Sequence, residues 1–253
     1  MTKSDTVKTF SETPISFNYK CPSQEMIEEL FRGQALTVLE NSERLILNQT
    51  YYKMNLLDAK SRTFTRVAIE NQLKKALAIL GPSFGFIVFD AFRSRQTQRA
   101  LFDSVAARIL VLHPGLSSSE VHFKTSKYII HPDDKAGFPV PPHNSGGAID
   151  LALCKNNQML AFGSGFDDPS TVSSTSFFES EYDPQIGFSK SEWVLFRRNR
   201  RILFHTLTSL GFTNYKEEWW HYDLGDCMWA EEFKIAPVFQ SLEAEVENYE
   251  RVI

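Results

Sequence analysis

The chain has 253 residues, 42% apolar and 23% charged, and its 27 Lys+Arg against 31 Asp+Glu give a formal charge of −4. With a pI near 5.9 and no long basic run, nucleic acid is excluded as the main partner. Three cysteines (Cys21, Cys154 and Cys227) without a CxxC pair exclude a disulfide framework and favour a reducing compartment.

Residues 1–17 lack the apolar core of roughly 7–15 residues that a secretory signal needs. No run nears the ~18 apolar residues of a membrane-spanning helix, so the expectation is a soluble cytoplasmic protein. Residues 64–80 place Val67, Leu73, Leu77 and Leu80 near one helical face, closed by Gly81-Pro82. The aromatic and β-branched run Phe84 to Phe92 predicts a buried strand. Residues 95–112 return to helical spacing through Leu101, Val105, Ile109 and Leu112. From Ser126 to Ser145, four prolines and little periodicity predict a long loop, which is unusual in a compact domain unless it serves a site. Gly147 to Leu153 is strand-like, with Ile149, Leu151 and Leu153 on one face and Asp150 on the other. The TVSSTS run at 171–176 is a loop.

Ser189 and Glu192 form a capping box at the start of a helix carrying Ile202, Leu203, Leu207 and Leu210, with Gly211 suited to its end. A strand follows around Trp219 to Leu224, and the last twenty residues are helical, packing as an extra layer. Helices and strands without a βαβ rhythm predict an α+β fold, a central mostly antiparallel sheet flanked by helices. The candidate functional residues span 93–221, so the chain reads as one domain over 1–253. In it, an N-terminal segment (1–34) and a C-terminal extension (231–253) pack on a core of 35–230.

Two of the six histidines stand in chemically suggestive surroundings. His143 lies in a Gly-rich turn seven residues before Asp150, the only acid in an otherwise apolar strand, where a carboxylate is unwelcome unless paired or metal-bound. Gly146 and Gly147 let the chain turn so that the two converge. On spacing alone they read equally as zinc ligands or as an ion pair that caps a loop. His221 closes Glu218-Trp219-Trp220-His221. The adjacent tryptophans would form a water-poor wall, and Glu218 reaches the same side as His221 only if the chain bends before the strand. A carboxylate beside a metal ligand in such a pocket suits a general base. Arg93, between a strand and a helix, reads first as a partner for Asp90 or a helix end and second as a group that holds an oxyanion.

FDAFR at 89–93, HNSGGAID at 143–150 and EWWHY at 218–222 together resemble the D-alanyl-D-alanine dipeptidases of the vancomycin-resistance type. These are zinc metallopeptidases within the wider lysostaphin-like group of D,D-peptidases. GSGFD at 163–167 and GDCMWA at 225–230 are weaker echoes. The resemblance implies one Zn²⁺ held by His143, Asp150 and His221, Glu218 as catalytic base and Arg93 as oxyanion stabiliser. It also implies a small dipeptide substrate whose amino group meets Asp167. Pro141 and Pro142 stand where the family carries serine, which leaves substrate contact on that wall to another residue, such as Ser145. The same ligand set would serve a zinc D,D-carboxypeptidase or endopeptidase acting on peptidoglycan peptides. It would also suit an inactive metal-binding relative, although metal binding alone requires neither Glu218 nor Arg93.

Overall fold

A computed structural model describes residues 2–126, 129–133 and 139–252. In chain order the elements are α1 (Lys3–Glu12), α2 (Gln24–Arg32), β1 (Leu36–Leu39), β2 (Leu45–Leu47), α3 (Thr50–Lys53), β3 (Thr63–Arg66) and α4 (Val67–Leu80). Then come β4 (Phe84–Asp90), α5 (Arg95–Leu112), α6 (Ser118–Thr125), α7 (Pro142–Ser145), β5 (Ala148–Lys155) and β6 (Gln158–Met159). The chain continues through α8 (Lys190–Thr208), β7 (Thr213–Asn214), β8 (His221–Asp223), α9 (Cys227–Phe233) and α10 (Glu243–Val252).

The main sheet runs β2-β4-β5-β8-β7, with β6 paired to β5. Only the β2/β4 pairing in it is parallel, so the α+β class and the mostly antiparallel sheet are as the sequence predicts. β5 is buried from Ala148 to Cys154 on both faces, which is why apolar side chains fill both of its alternating sets. α8 begins with the capping box: Ser189 Oγ accepts from Glu192 N at 3.2 Å and Glu192 Oε2 accepts from Ser189 N at 2.8 Å. Residues 95–112 are helical as predicted, but the outer end of that stripe is not core, since Leu110, Val111 and Leu112 are exposed.

One element departs from its periodicity. Residues 63–66 are not the first turn of a helix but strand β3, paired antiparallel with β1. Thr63, Phe64 and Thr65 are β-branched or aromatic and favour the pleat. Arg66 is held extended by its buried guanidinium, which donates to Ser145 O, Gln34 O and Gln240 O. The N-terminal helices, absent from the sequence expectations, are capped by Thr2 with Asp5 and by Ser23; α1 contacts α8, where Arg201 donates to Glu12 O at 3.1 Å. Among the described residues all three cysteines are free, and no helix is long and apolar enough to cross a membrane.

Candidate active site

Three neighbouring strands supply the floor of the site. The register sets Asp150 of β5 opposite His221 of β8 on one side and Asp90 of β4 on the other. Directly paired residues share a face of the sheet, so the three polar side chains form one row. His143 is added from α7, whose last carbonyls give way to Gly146 in the left-handed region at φ +73. At Gly147 a Cβ would stand 2.7 Å from Leu224 O, so glycine is needed there for the close approach of β8.

The histidines meet through defined nitrogens. His143 Nδ1 donates to Ala91 O at 2.7 Å, which leaves Nε2 as a free lone pair. His221 Nε2 donates to Asp223 Oδ1 at 2.8 Å, which turns Nδ1 towards the cluster, where a bound cation would take the place of its proton. The two nitrogens that face the cluster lie 3.2 Å apart; His143 Nε2 is 3.3 Å from Asp150 Oδ2, and His221 Nδ1 is 3.0 Å from Asp150 Oδ1. A tetrahedron with metal bonds of 2.0–2.1 Å has edges of about 3.3 Å. Two nitrogens 3.2 Å apart and a carboxylate that turns one oxygen towards each of them, all within 4.8 Å of one another, therefore suit a Zn²⁺-like ion.

Electrostatics favours an ionised cluster. Burial opposes the charge on Asp150, but His143 and His221 override it and hold the carboxyl well below its ordinary range. Burial likewise opposes a proton on His221, yet Asp223 and Asp150 keep it well above its ordinary value.

Glu218 reaches the cluster through a turn. Glu218 N donates to Tyr215 O and His221 N to Glu218 O, while Asn214 Nδ2 donates to the carbonyls of both Glu218 and His221. The bend that the sequence requires before the strand is present, and Glu218 Oε2 lies 3.9 Å from His221 Nδ1. Burial pushes the Glu218 carboxyl up to about 8, with His221 pulling the other way.

The strand itself is shorter than the sequence predicts, because Trp219 and Trp220 belong to the turn. They do not wall the cavity either. Trp219 stacks on Phe162 at 4.0 Å between centroids and donates to Ser164 Oγ, and Trp220 meets Phe166 edge-on. Large aromatic surface is better buried in the core than left against a polar cluster, so the pair anchors the turn from beneath.

Arg93 makes the pair with Asp90 that its first sequence reading expects. Its Nε donates to Asp90 and its Nη1 to Gln98 Oε1, both at 2.9 Å, while Nη2 lies 3.3 Å from Tyr51 Oη and 3.5 Å from Asp150 Oδ2. The Tyr51 hydroxyl donates to Asp167, 2.9 Å from the nearer carboxylate oxygen. Asp167, not Asp168, thus faces the site, and desolvation raises it to about 6. These groups line a cavity of about 220 Å³ together with Pro141, Pro142 and Met228.

Ser145 is a correction. Its hydroxyl donates to Pro142 O and accepts from Gly147 N, so it is spent on its own turn and is absent from the cavity wall. Tyr51 and Asp223 were not singled out by the sequence. Asp223 had a signal, an acid two residues beyond His221 on the same strand face; Tyr51 had none, since its partners are remote in sequence.

Residues 37–238 match the family model described as D-ala-D-ala dipeptidase. A D-alanyl-D-alanine dipeptidase of Synechocystis sp. is 29% identical over 169 residues, covering 63% of this chain and 67% of that protein.

Proposed function

The chain belongs to the D-Ala-D-Ala dipeptidase family of metallopeptidases, and from that premise we propose that it is a zinc-dependent hydrolase of D-alanyl-D-alanine or a closely related D,D-dipeptide. The observation that carries this reading is the meeting of His143 Nε2, His221 Nδ1 and Asp150 beside Glu218 in one cavity. Zn²⁺, one per chain, would be held by His143, Asp150 and His221, and it supplies a Lewis acid that acidifies water and polarises a carbonyl.

The chain's own residues do the rest. Glu218, 3.9 Å from His221 Nδ1, would accept a proton from the attacking water as the carboxylate that a cation bound there favours, and its raised affinity for protons suits it to carry that proton to the leaving amine. Arg93 Nη2, 3.5 Å from Asp150 Oδ2, would stabilise the negative charge that develops on the substrate's carbonyl oxygen. Asp167, held by Tyr51, takes the substrate's free ammonium group. We take residues 1–253 as one catalytic domain on this basis, because helices α3 and α7, strands β5 and β8 and the turn before β8 all contribute to the cavity.

The test is metal analysis with a hydrolysis panel of D-Ala-D-Ala, L-Ala-L-Ala and a pentapeptide ending in D-Ala-D-Ala. The expected result is about one zinc per chain with cleavage of free D-Ala-D-Ala alone. Glu218→Ala should keep the zinc and lose roughly 10²–10⁴-fold in turnover. Preferential trimming of the pentapeptide would make the protein a carboxypeptidase, and stoichiometric zinc without hydrolysis would make it a binding protein.

A further inference from the structure

His143 and its neighbours sit on α7, a helix of four residues. One turn cannot hold its own geometry in water, so something else must fix the nitrogen that faces the cluster. The contacts of the next residue, Asn144, show what does so.

Asn144 is buried, and its carbonyl and both side-chain polar atoms are hydrogen-bonded. Its carbonyl accepts from Leu242 N at 2.9 Å, and its side-chain oxygen accepts from Ser241 Oγ at 2.7 Å. Its Nδ2 donates to Glu243 Oε2 at 3.0 Å and to Arg93 O at 3.3 Å. The other oxygen of Glu243 accepts from Arg95 N at 3.1 Å. One carboxylate therefore ties the turn that carries His143 to the chain just after Arg93, and Arg93 N closes the loop by donating to His143 O.

Leu242 completes the clamp. It is fully buried and packs so close to Gly146 that a Cβ there would lie 2.7 Å from its methyl. Arg66 repeats the pattern from below, donating to Ser145 O at 2.8 Å and to Gln240 O at 2.6 Å.

We infer that residues 240–243, which lie beyond the stretch matched to the family, form a brace that positions the metal-ligand turn, with Ser241 and Glu243 acting through Asn144 as positioning residues. The inference rests on the metal reading above. It gives the segment after residue 238 a function at the site: it holds His143 and Arg93 in fixed relation. Partners that orient a ligand from outside the coordination sphere typically carry 10- to 100-fold in metal affinity.

The test compares two full-length variants by competition for zinc against a chromophoric chelator, with thermal unfolding of the metal-free proteins measured alongside. Ser241→Ala/Glu243→Ala removes the brace's side-chain contacts to the turn. Val246→Ala destabilises the same segment through a buried side chain packed with Phe64, Phe92 and Leu242, without touching Asn144. The brace variant should bind zinc about 10- to 100-fold more weakly, and Val246→Ala should bind it as wild type does even with a lowered Tm.

Wild-type affinity in the brace variant, or an equal loss in both variants, would overturn the brace. Where the double variant does not fold, Ser241→Ala alone is read against Val246→Ala by the same criterion. A wild-type protein that binds no zinc would fail the metal reading first, and the brace with it.

Discussion

Glu218 offers a measurement that does not depend on turnover. In the metal-free pocket its carboxyl is raised to about 8, so at pH 7 it carries about 0.9 of a proton and at pH 9 about 0.1. Its Oε2 lies 3.9 Å from His221 Nδ1, the nitrogen that would bind the ion, and a cation that close favours the carboxylate by one to three pKa units or more. Metal uptake at pH 7 must then expel the Glu218 proton. His221, held above its ordinary value, releases a proton as well, but that contribution is common to wild type and to Glu218→Gln and cancels in the difference. Zinc titrations by calorimetry in buffers of different ionisation enthalpy count the protons. For a shift of one to three units, wild type should release about 0.4 to 0.9 proton more than Glu218→Gln at pH 7, falling to about 0.1 at pH 9. Equal release from the two proteins at pH 7 would show that Glu218 is not the protonated neighbour of the metal site.

The metal-free protein should lose stability as pH rises from about 5 to 9. Glu218, Asp167 and His221 all hold protons more tightly folded than unfolded, and denaturant unfolding of chelator-treated protein at pH 5.5 and 8.5 gives the sign, with Glu218→Gln flattening the slope. Tyr51→Phe removes the hydroxyl that donates to Asp167 and lies beside Arg93 Nη2. It should raise KM for a dipeptide with a free amino group by about 10- to 100-fold, as for a hydrogen bond to a charge, while zinc content stays constant. Trp219→Leu forfeits the stack on Phe162 and the bond to Ser164; thermal unfolding should show a cost of about 3 kcal/mol.

Much of the site was legible because its residues break local rules. Asp150 is an acid in a strand buried on both faces, and His143 precedes Gly146, whose left-handed conformation the turn requires, and Gly147, which the close approach of Leu224 O requires. Capping chemistry placed the start of α8 for the same reason: Ser189 and Glu192 act within one turn. What stayed hidden depends on partners far along the chain. Tyr51 acquires its role from Asp167, 116 residues away, and Asn144 from Glu243, 99 residues away. β3 was read as helix because Phe64 fits either period until β1 pairs with it. Ser145 looked available because a hydroxyl beside a metal ligand suits a substrate, but the turn consumed it. The tryptophans were given the right neighbourhood and the wrong face, since aromatic area alone does not say which side of a turn is core.

The row formed by β4, β5 and β8 bears on how the protein acquires its metal. His143 and Asp150 are neighbours in the chain, but His221 lies 71 residues beyond Asp150, so an unfolded chain presents at most two of the three ligands together. The complete three-ligand site exists only after the β5/β8 pairing sets His221 opposite Asp150, so tight binding of a cation follows that pairing instead of templating it. Its full binding free energy then adds to the native state and to no other. A chelator should accordingly lower the melting temperature of the loaded protein without slowing its refolding.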